Sequence, residues 1–331
     1  MTAGPLASPF PDPGLEAEVR VGLDAVEQRL RDAVKSDYPF VTETSRHLVD
    51  AGGKRFRPML VLLAAQFGDP NAPGVVPAAV VVELTHLATL YHDDVMDEAA
   101  LRRGTPSANT RWTNTVAILT GDFLFARASD ILADLGPEAV RIQARTFERL
   151  VTGQLRETTG PVSGHDPIEH YLQVVEDKTA SLIATSGRFG AMLAGADEAV
   201  VDVLTRYGTR IGMAFQLSDD LLDVTSETAQ SGKVPGTDLR EGIRTLPVLH
   251  ALRSRDPADR RLHELINGDL TDDARHAEAL HLLRTHPGVA AARADLRHWA
   301  EEAREVLAPL PDVPPRAALE MLCDVVVART G

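Results

Sequence analysis

An all-α fold is predicted by three features of this 331-residue chain. Apolar residues recur at three- and four-residue spacing over long stretches, and alternating β-branched runs are scarce. Hydrophobic residues make up 44% of the chain, ample for a large core, while aromatics make up only 5%. Residues 1–14 are Pro-rich and read as a flexible tail, leaving 15–331 as a single helical domain.

The elements follow in order. Leu15, Val19, Leu23, Val26 and Leu30 predict a helix from about Leu15 to Ser36. A second, from about Val41 to Ala51, stops at Gly52-Gly53. Pro58 opens an apolar helix to Phe67, and Gly68-Asp69-Pro70-Asn71 is a turn. Further helices are expected at Val76–Glu98, Thr110–Leu135, Pro137–Thr158, Ile168–Ala194 and Ala196–Val224. From Thr225 to Arg244 the chain is rich in Gly, Thr, Ser and Lys and reads as a mobile flap. Shorter helices continue to about Leu307. Pro309, Pro311, Pro314 and Pro315 then stiffen a linker into a last helix, about Arg316 to Arg329.

Composition excludes some classes. The net charge of −14 argues against a nucleic-acid surface. Cys323 is the only cysteine, so no intrachain disulfide is possible and a reducing, cytoplasmic setting is expected. Met1 to Gly14 carries no cationic and apolar signal pattern. The apolar run Val75 to Tyr91 is short and interrupted by Glu83 and His86, so no membrane span is expected.

Chemistry concentrates in two copies of D-D-x-x-D: Asp93, Asp94 and Asp97, then Asp219, Asp220 and Asp223. Residues four apart share one helical face, so Asp93 with Asp97, and Asp219 with Asp223, each form a carboxylate claw. A single such pair is usually a solvated face. Here the helix before the first copy is apolar nearly all round, which buries it and sets its acids at the mouth of a core. Hard cations such as Mg2+ take oxygen ligands and leave coordination for water and phosphate. Two facing claws would therefore hold one diphosphate through shared metals.

His86 falls within about 20° of Asp93 and Asp97 on a helical wheel. Around the second copy, Gln216, Asp219, Asp220 and Asp223 form a polar stripe beside an apolar one of Ala214, Leu217, Leu221 and Val224. Cations complete the pattern. Lys54, Arg55 and Arg57 precede a helix start, where phosphates bind well. Arg102 and Arg103 follow the first claw, Lys178-Thr179 lies mid-helix, and Lys233 lies on the flap. A K-R-x-R run standing alone is as often a solvated surface cluster.

Taken together, GGKRFRP, LYHDDVMDEAALRRG, GDFL, KT, FQLSDDLLD and GK-x-x-G-T-D make the chain similar to the trans-isoprenyl diphosphate synthases, or polyprenyl synthetases. The likeness runs from about Leu30 to Leu249. It implies the isoprenoid synthase type I fold, a bundle of about ten or more helices around a deep central cavity. It also implies head-to-tail condensation of isopentenyl diphosphate with an allylic diphosphate primer, in a homodimer. Asp93, Asp94, Asp97, Asp219, Asp220 and Asp223 correspond to the motifs that hold three Mg2+ ions. Arg102, Lys178 and Lys233 correspond to contacts with the allylic diphosphate. Lys54, Arg57, His86 and Arg103 correspond to the isopentenyl diphosphate pocket, and Lys178, Thr179 and Gln216 to the reacting centre. Val82, Thr85, Ala88 and Thr89 occupy the positions that set product length. None is aromatic, so a long product of about C35–C50, serving as a quinone side chain such as that of menaquinone, is expected. Shorter geranylgeranyl or farnesyl products are the alternative. A class I terpene cyclase is disfavoured by the second diphosphate pocket, and a non-catalytic partner subunit by the two intact claws. One departure stands out: where the family has G-K-x-T-L-P, this chain has Ile243 for the lysine, with Arg244 beside it.

Overall fold

A computed structural model describes residues 10–226 and 235–330. It is all-α apart from one small hairpin. In chain order the helices are α1 (Pro13–Ala33), α2 (Pro39–Asp50), α3 (Phe56–Ala65), α4 (Val75–Met96), α5 (Ala108–Arg111), α6 (Asn114–Leu135), α7 (Pro137–Thr159), α8 (Pro167–Val175), α9 (Ser181–Leu193) and α10 (Glu198–Thr225). After these come α11 (Thr237–Arg240), α12 (Leu246–Leu252), α13 (Arg260–Ile266), α14 (Asp273–Thr285), α15 (Pro287–Val306) and α16 (Pro314–Ala328). A π turn, Glu176–Ala180, joins α8 to α9. Strands β1 (Leu101–Arg102) and β2 (Thr105–Pro106) pair antiparallel.

Local chemistry sets the ends. Asp12 accepts from Leu15 N at 2.7 Å and Pro13 follows it, so α1 starts two residues before the expected Leu15. Thr113 caps α6 through Val116 N, and Asp166 caps α8 through Ile168 N. The expected helix from Thr110 is thus split into α5 and α6. The hairpin was not expected. It turns on Arg103 and Gly104, both at positive φ (54° and 77°), the conformation of a tight two-residue hairpin loop.

Packing divides the chain into two compact units. One comprises Met1–Glu148, Leu182–Gly208 and Pro309–Leu319. Its core is α4, which packs on α1, α3 and above all α6. Every residue from Ala78 to Thr85 is buried, as the all-round apolar pattern required. Among the described residues α4 is the one helix long and apolar enough to cross a membrane, and 67% of that window is buried inside the protein. In the same unit α9 lies close on α3: a Cβ on Gly190 would sit 2.1 Å from Val61 O, so only glycine permits the approach.

The other unit comprises Arg149–Ser181, Thr209–Ala308 and Glu320–Gly331. Here α12 packs on α15, and Ser218 on α10 donates to Val326 O of α16 at 2.9 Å. Arg149 and Arg156 of α7 both pair with Asp177 of the π turn. The single helix expected over Ile168–Ala194 is therefore two helices joined by a wider turn.

Candidate active site

In the first unit, α4 delivers Asp93 and Asp94 in its last turn, and Asp97 is its C-cap. Asp97 N donates to Asp93 O at 2.8 Å, so helical register holds through the motif and keeps Asp93 and Asp97 on one face. The C-terminal end of a helix is electronegative, so carboxylates there need cations. Arg102, brought back by the hairpin, places Nε 2.5 Å from Asp94 Oδ1. Asp94 is fully buried, and burial pushes its pKa up against the pull of Arg102. Its second oxygen, Oδ2, is buried without a hydrogen-bond partner.

The basic set lies in the same unit. Arg55 sits in left-handed conformation (φ 48°) as the N-cap of α3 and is buried, whereas Lys54 is exposed and Arg57 half-buried. Arg103 donates to Leu48 O at 3.1 Å and also to Gly52 O. The His86 ring is held well below the usual histidine pKa of 6.5 by burial, then by Arg57, Arg103, Arg102 and Arg55. It is neutral at physiological pH, with one ring nitrogen to donate and one to accept.

Below the claw, Val82, Thr85 and Ala88 have no exposed surface, and Thr89 alone among the four positions keeps some. The Thr85 hydroxyl donates to Val81 O and accepts from Gln143 Nε2 at 2.7 Å. Ala88 marks a close crossing of α4 and α6, where a Cβ on Gly121 would lie 3.1 Å from Ala88 O and 2.3 Å from His92 Nε2.

The second claw is carried by α10 in the other unit. Its apolar stripe is as expected: Ala214, Leu217, Leu221 and Val224 are all buried. On the polar stripe, Asp220 is only 3% exposed, and both of its oxygens are engaged. Tyr171 donates to one and Gln216 Nε2 to the other at 2.8 Å. Burial raises the Asp220 pKa to about 7, opposed by the Tyr171 bond. Thr179 Oγ1 donates to Gln216 Oε1 at 3.0 Å, which links the π turn to the claw. Asp219 pairs with Arg329 beyond the end of α16 at 2.5 Å, and Arg329 lies 5.2 Å over the Phe215 ring. Asp223 accepts the backbone N–H groups of Thr237 (3.1 Å) and Asp238 (3.2 Å) at the start of α11. Lys178 Nζ pairs with Glu157 Oε2 at 2.5 Å. Lys233 lies outside the described residues. Ile243 is 42% exposed and offers no charge, while Arg244 donates to Asn267 Oδ1 at 2.9 Å.

Among the described residues no three His, Cys, Asp or Glu side chains close into a metal cage. Carboxylate pairs one helical turn apart suit a hard divalent cation that keeps water or phosphate as its other ligands, and the orphaned Asp94 Oδ2 is a donor of that kind. Sequence reasoning missed Tyr171, Arg329 and the partnership of Arg55 with Glu83. The first two carried no local signal. Glu83 did: an acid in an otherwise apolar helix, three residues before His86.

A family model described as Polyprenyl synthetase matches residues 38–283. The nonaprenyl diphosphate synthase of Mycobacterium tuberculosis is 53% identical over 95% of this chain and 94% of its own length. A dimethylallyltranstransferase of the same organism is 46% identical over 95% of each chain. The crystal structure of geranylgeranyl pyrophosphate synthase from Corynebacterium glutamicum, complexed with calcium and isoprenyl diphosphate, superposes with a TM-score of 0.88. It is 47% identical, covering 97% of this chain and 99% of that one. The all-α fold agrees with these likenesses, and the chain belongs to the polyprenyl synthetase family, whose members are prenyltransferases.

Proposed function

We propose that this prenyltransferase is a long-chain all-trans polyprenyl diphosphate synthase, extending an allylic primer with isopentenyl diphosphate to about C35–C50. The observation that carries the reading is the 53% identity, over nearly the whole of both chains, to a nonaprenyl diphosphate synthase. Support comes from small or aliphatic side chains at Val82, Thr85, Ala88 and Thr89.

Each part of the site has a task in this reading. Asp93 and Asp97, with Asp94 behind them, and Asp219 with Asp223, would hold Mg2+ ions, three in all. Bound there, the ions would neutralise a departing diphosphate and so favour ionisation of the allylic carbon–oxygen bond. Arg102, Lys178 and Lys233 bind the allylic diphosphate. Lys54, Arg57, His86 and Arg103 bind and orient isopentenyl diphosphate. The neutral His86 ring donates a hydrogen bond there without adding a fourth charge. Thr179 and Gln216 line the reacting centre, and Asp220 with Tyr171 fixes the Gln216 amide. The apolar wall of α4 keeps water from the allylic cation. The enzyme works in a cytoplasmic homodimer, and its product becomes a quinone side chain.

A shorter product is the second reading. Two relatives at 46–47% identity carry the names dimethylallyltranstransferase and geranylgeranyl pyrophosphate synthase. Full burial of Val82, Thr85 and Ala88 also favours an early stop. The deciding experiment incubates the protein with Mg2+, isopentenyl diphosphate and C5, C10, C15 and C20 allylic primers, then reads product length by mass spectrometry. Products ending at C20 or below would overturn the long-chain reading. Absence of elongation from every primer would overturn the synthase reading itself.

A further inference from the structure

We propose that Glu83 and Arg55 form a buried positioning pair for the isopentenyl diphosphate pocket. By clamping the left-handed turn between α2 and α3, the pair aims Lys54, Arg57 and Arg103 without touching substrate itself. The inference rests on the pocket assignment made above and adds two residues to it.

The geometry centres on Arg55. It is the middle cation of the K-R-x-R run, yet it faces inward and is 7% exposed. Its NH1 donates to Glu83 Oε1 at 2.7 Å, its Nε to Glu27 of α1, and its NH2 to Val49 O at 3.1 Å. NH1 also reaches Gly52 O at 3.4 Å. A non-glycine residue at positive φ is costly and persists only where its surroundings hold it. Arg55 (φ 48°) and Arg103 (φ 54°) are both such residues, and both reach the same Gly52 carbonyl. Arg103 NH2 lies 3.8 Å from the same Glu83 Oε1. One carboxylate therefore faces two strained arginines.

The neighbours of this pair are the pocket. Lys54 precedes Arg55 directly and Arg57 follows two residues later, so the Arg55 backbone sets the direction of both. Glu83 lies one helical turn before His86 on α4, on the same side. The charge balance points the same way. Arg57, Arg103, Arg102 and Arg55 all act on the His86 ring. Without Glu83, Arg55 and Arg103 would share a buried space with one fewer anion, and their repulsion would move Arg103 from its place. A group that only props up the fold behaves differently, because replacing a buried ion pair by apolar residues of similar size is often neutral for stability.

The test compares Glu83→Gln and the double variant Arg55→Met/Glu83→Leu with the wild type. Steady-state kinetics give KM for each substrate. Calorimetric titration with isopentenyl diphosphate, without primer or Mg2+, gives its affinity apart from turnover. Circular dichroism reports the fold. We expect a rise of about tenfold or more in KM and Kd for isopentenyl diphosphate, since a shift near 1 Å at a positioning group is felt on that scale. KM for the allylic primer should stay within about twofold. Glu27→Gln removes only the half-exposed partner and should raise the isopentenyl diphosphate KM less, about threefold. Folded variants with unchanged isopentenyl diphosphate binding, or with both KM values raised alike, would overturn the proposal. Should the Glu83 variants fail to fold, an unchanged KM in Glu27→Gln would overturn it as well. A wild type that binds isopentenyl diphosphate but never elongates a primer would instead sink the synthase reading, and the titrations would still decide the pair.

Discussion

Replacing Thr89 by Phe probes the path of the growing chain with little damage to the fold. Thr89 lies four residues before Asp93, about 6 Å along α4, while Val82 lies eleven residues before it, about 16 Å. An extended isoprene unit advances roughly 5 Å over its four carbon–carbon bonds. A ring at Thr89 therefore blocks the path about two units earlier than one at Val82. Thr89 is the one partly exposed member of its set, and its hydroxyl bonds only back to His86 O at 2.8 Å. Losing that bond costs about 1 kcal/mol or less. Ala88 is different, because it is fully buried at the crossing with Gly121. A ring there overpacks the contact at about 1–3 kcal/mol, or several degrees of Tm. Thr89→Phe should keep its Tm within about 2 °C and stop elongation of farnesyl diphosphate after a single added unit. Ala88→Phe should shorten the product and also lower the Tm. Products are read by mass spectrometry and Tm by calorimetry. A folded, active Thr89→Phe enzyme that still makes the wild-type long product would refute the path along α4.

Four further outcomes are expected. Asp93→Ala and Asp219→Ala should each lose at least about 10²–10³-fold in Mg2+-dependent turnover, the scale of one lost transition-state contact, with helical dichroism kept; near-normal turnover in either would remove its claw from the site. Arg57→Ala should raise the KM for isopentenyl diphosphate far more than that for the primer, and Lys178→Ala the reverse; equal effects would dissolve the two-pocket assignment. His86 has a folded pKa below its unfolded value of 6.5, so below that pH the unfolded chain binds a proton that the native ring refuses. The contribution of His86 to stability is thus present above pH 6.5 and lost as pH falls, and its ring nitrogens should keep neutral NMR shifts at pH 6. A ring already charged at pH 6 would contradict its half-buried, arginine-lined setting. Light scattering should give a mass near twice 35.7 kDa, and a fully active monomer at micromolar concentration would rule out the dimer.

How far the site could be read in advance depended on the distance over which each interaction acts. The long helices were legible because burial imposes a period on many residues at once. The expected Val76–Glu98 and the observed Val75–Met96 differ only at the ends, where Glu98 turns to positive φ. The hairpin from Leu101 to Pro106 escaped because two-residue strands are too short to show alternation. The claws were legible because their four-residue spacing matches the helical repeat. Their partners were not: Tyr171 reaches Asp220 across 49 residues, and Arg329 reaches Asp219 across 110. Even a local pattern misled where the backbone turned. In the K-R-x-R run the three cations look equivalent, and charge counting offers all of them to a phosphate. The left-handed turn at Arg55 separates them, sending its guanidinium inward to Glu83 while Lys54 stays exposed and Arg57 half-buried. Which charge of a cation cluster turns inward is thus decided by the backbone, and here the inward one is Arg55, held by Glu83 of α4 and Glu27 of α1.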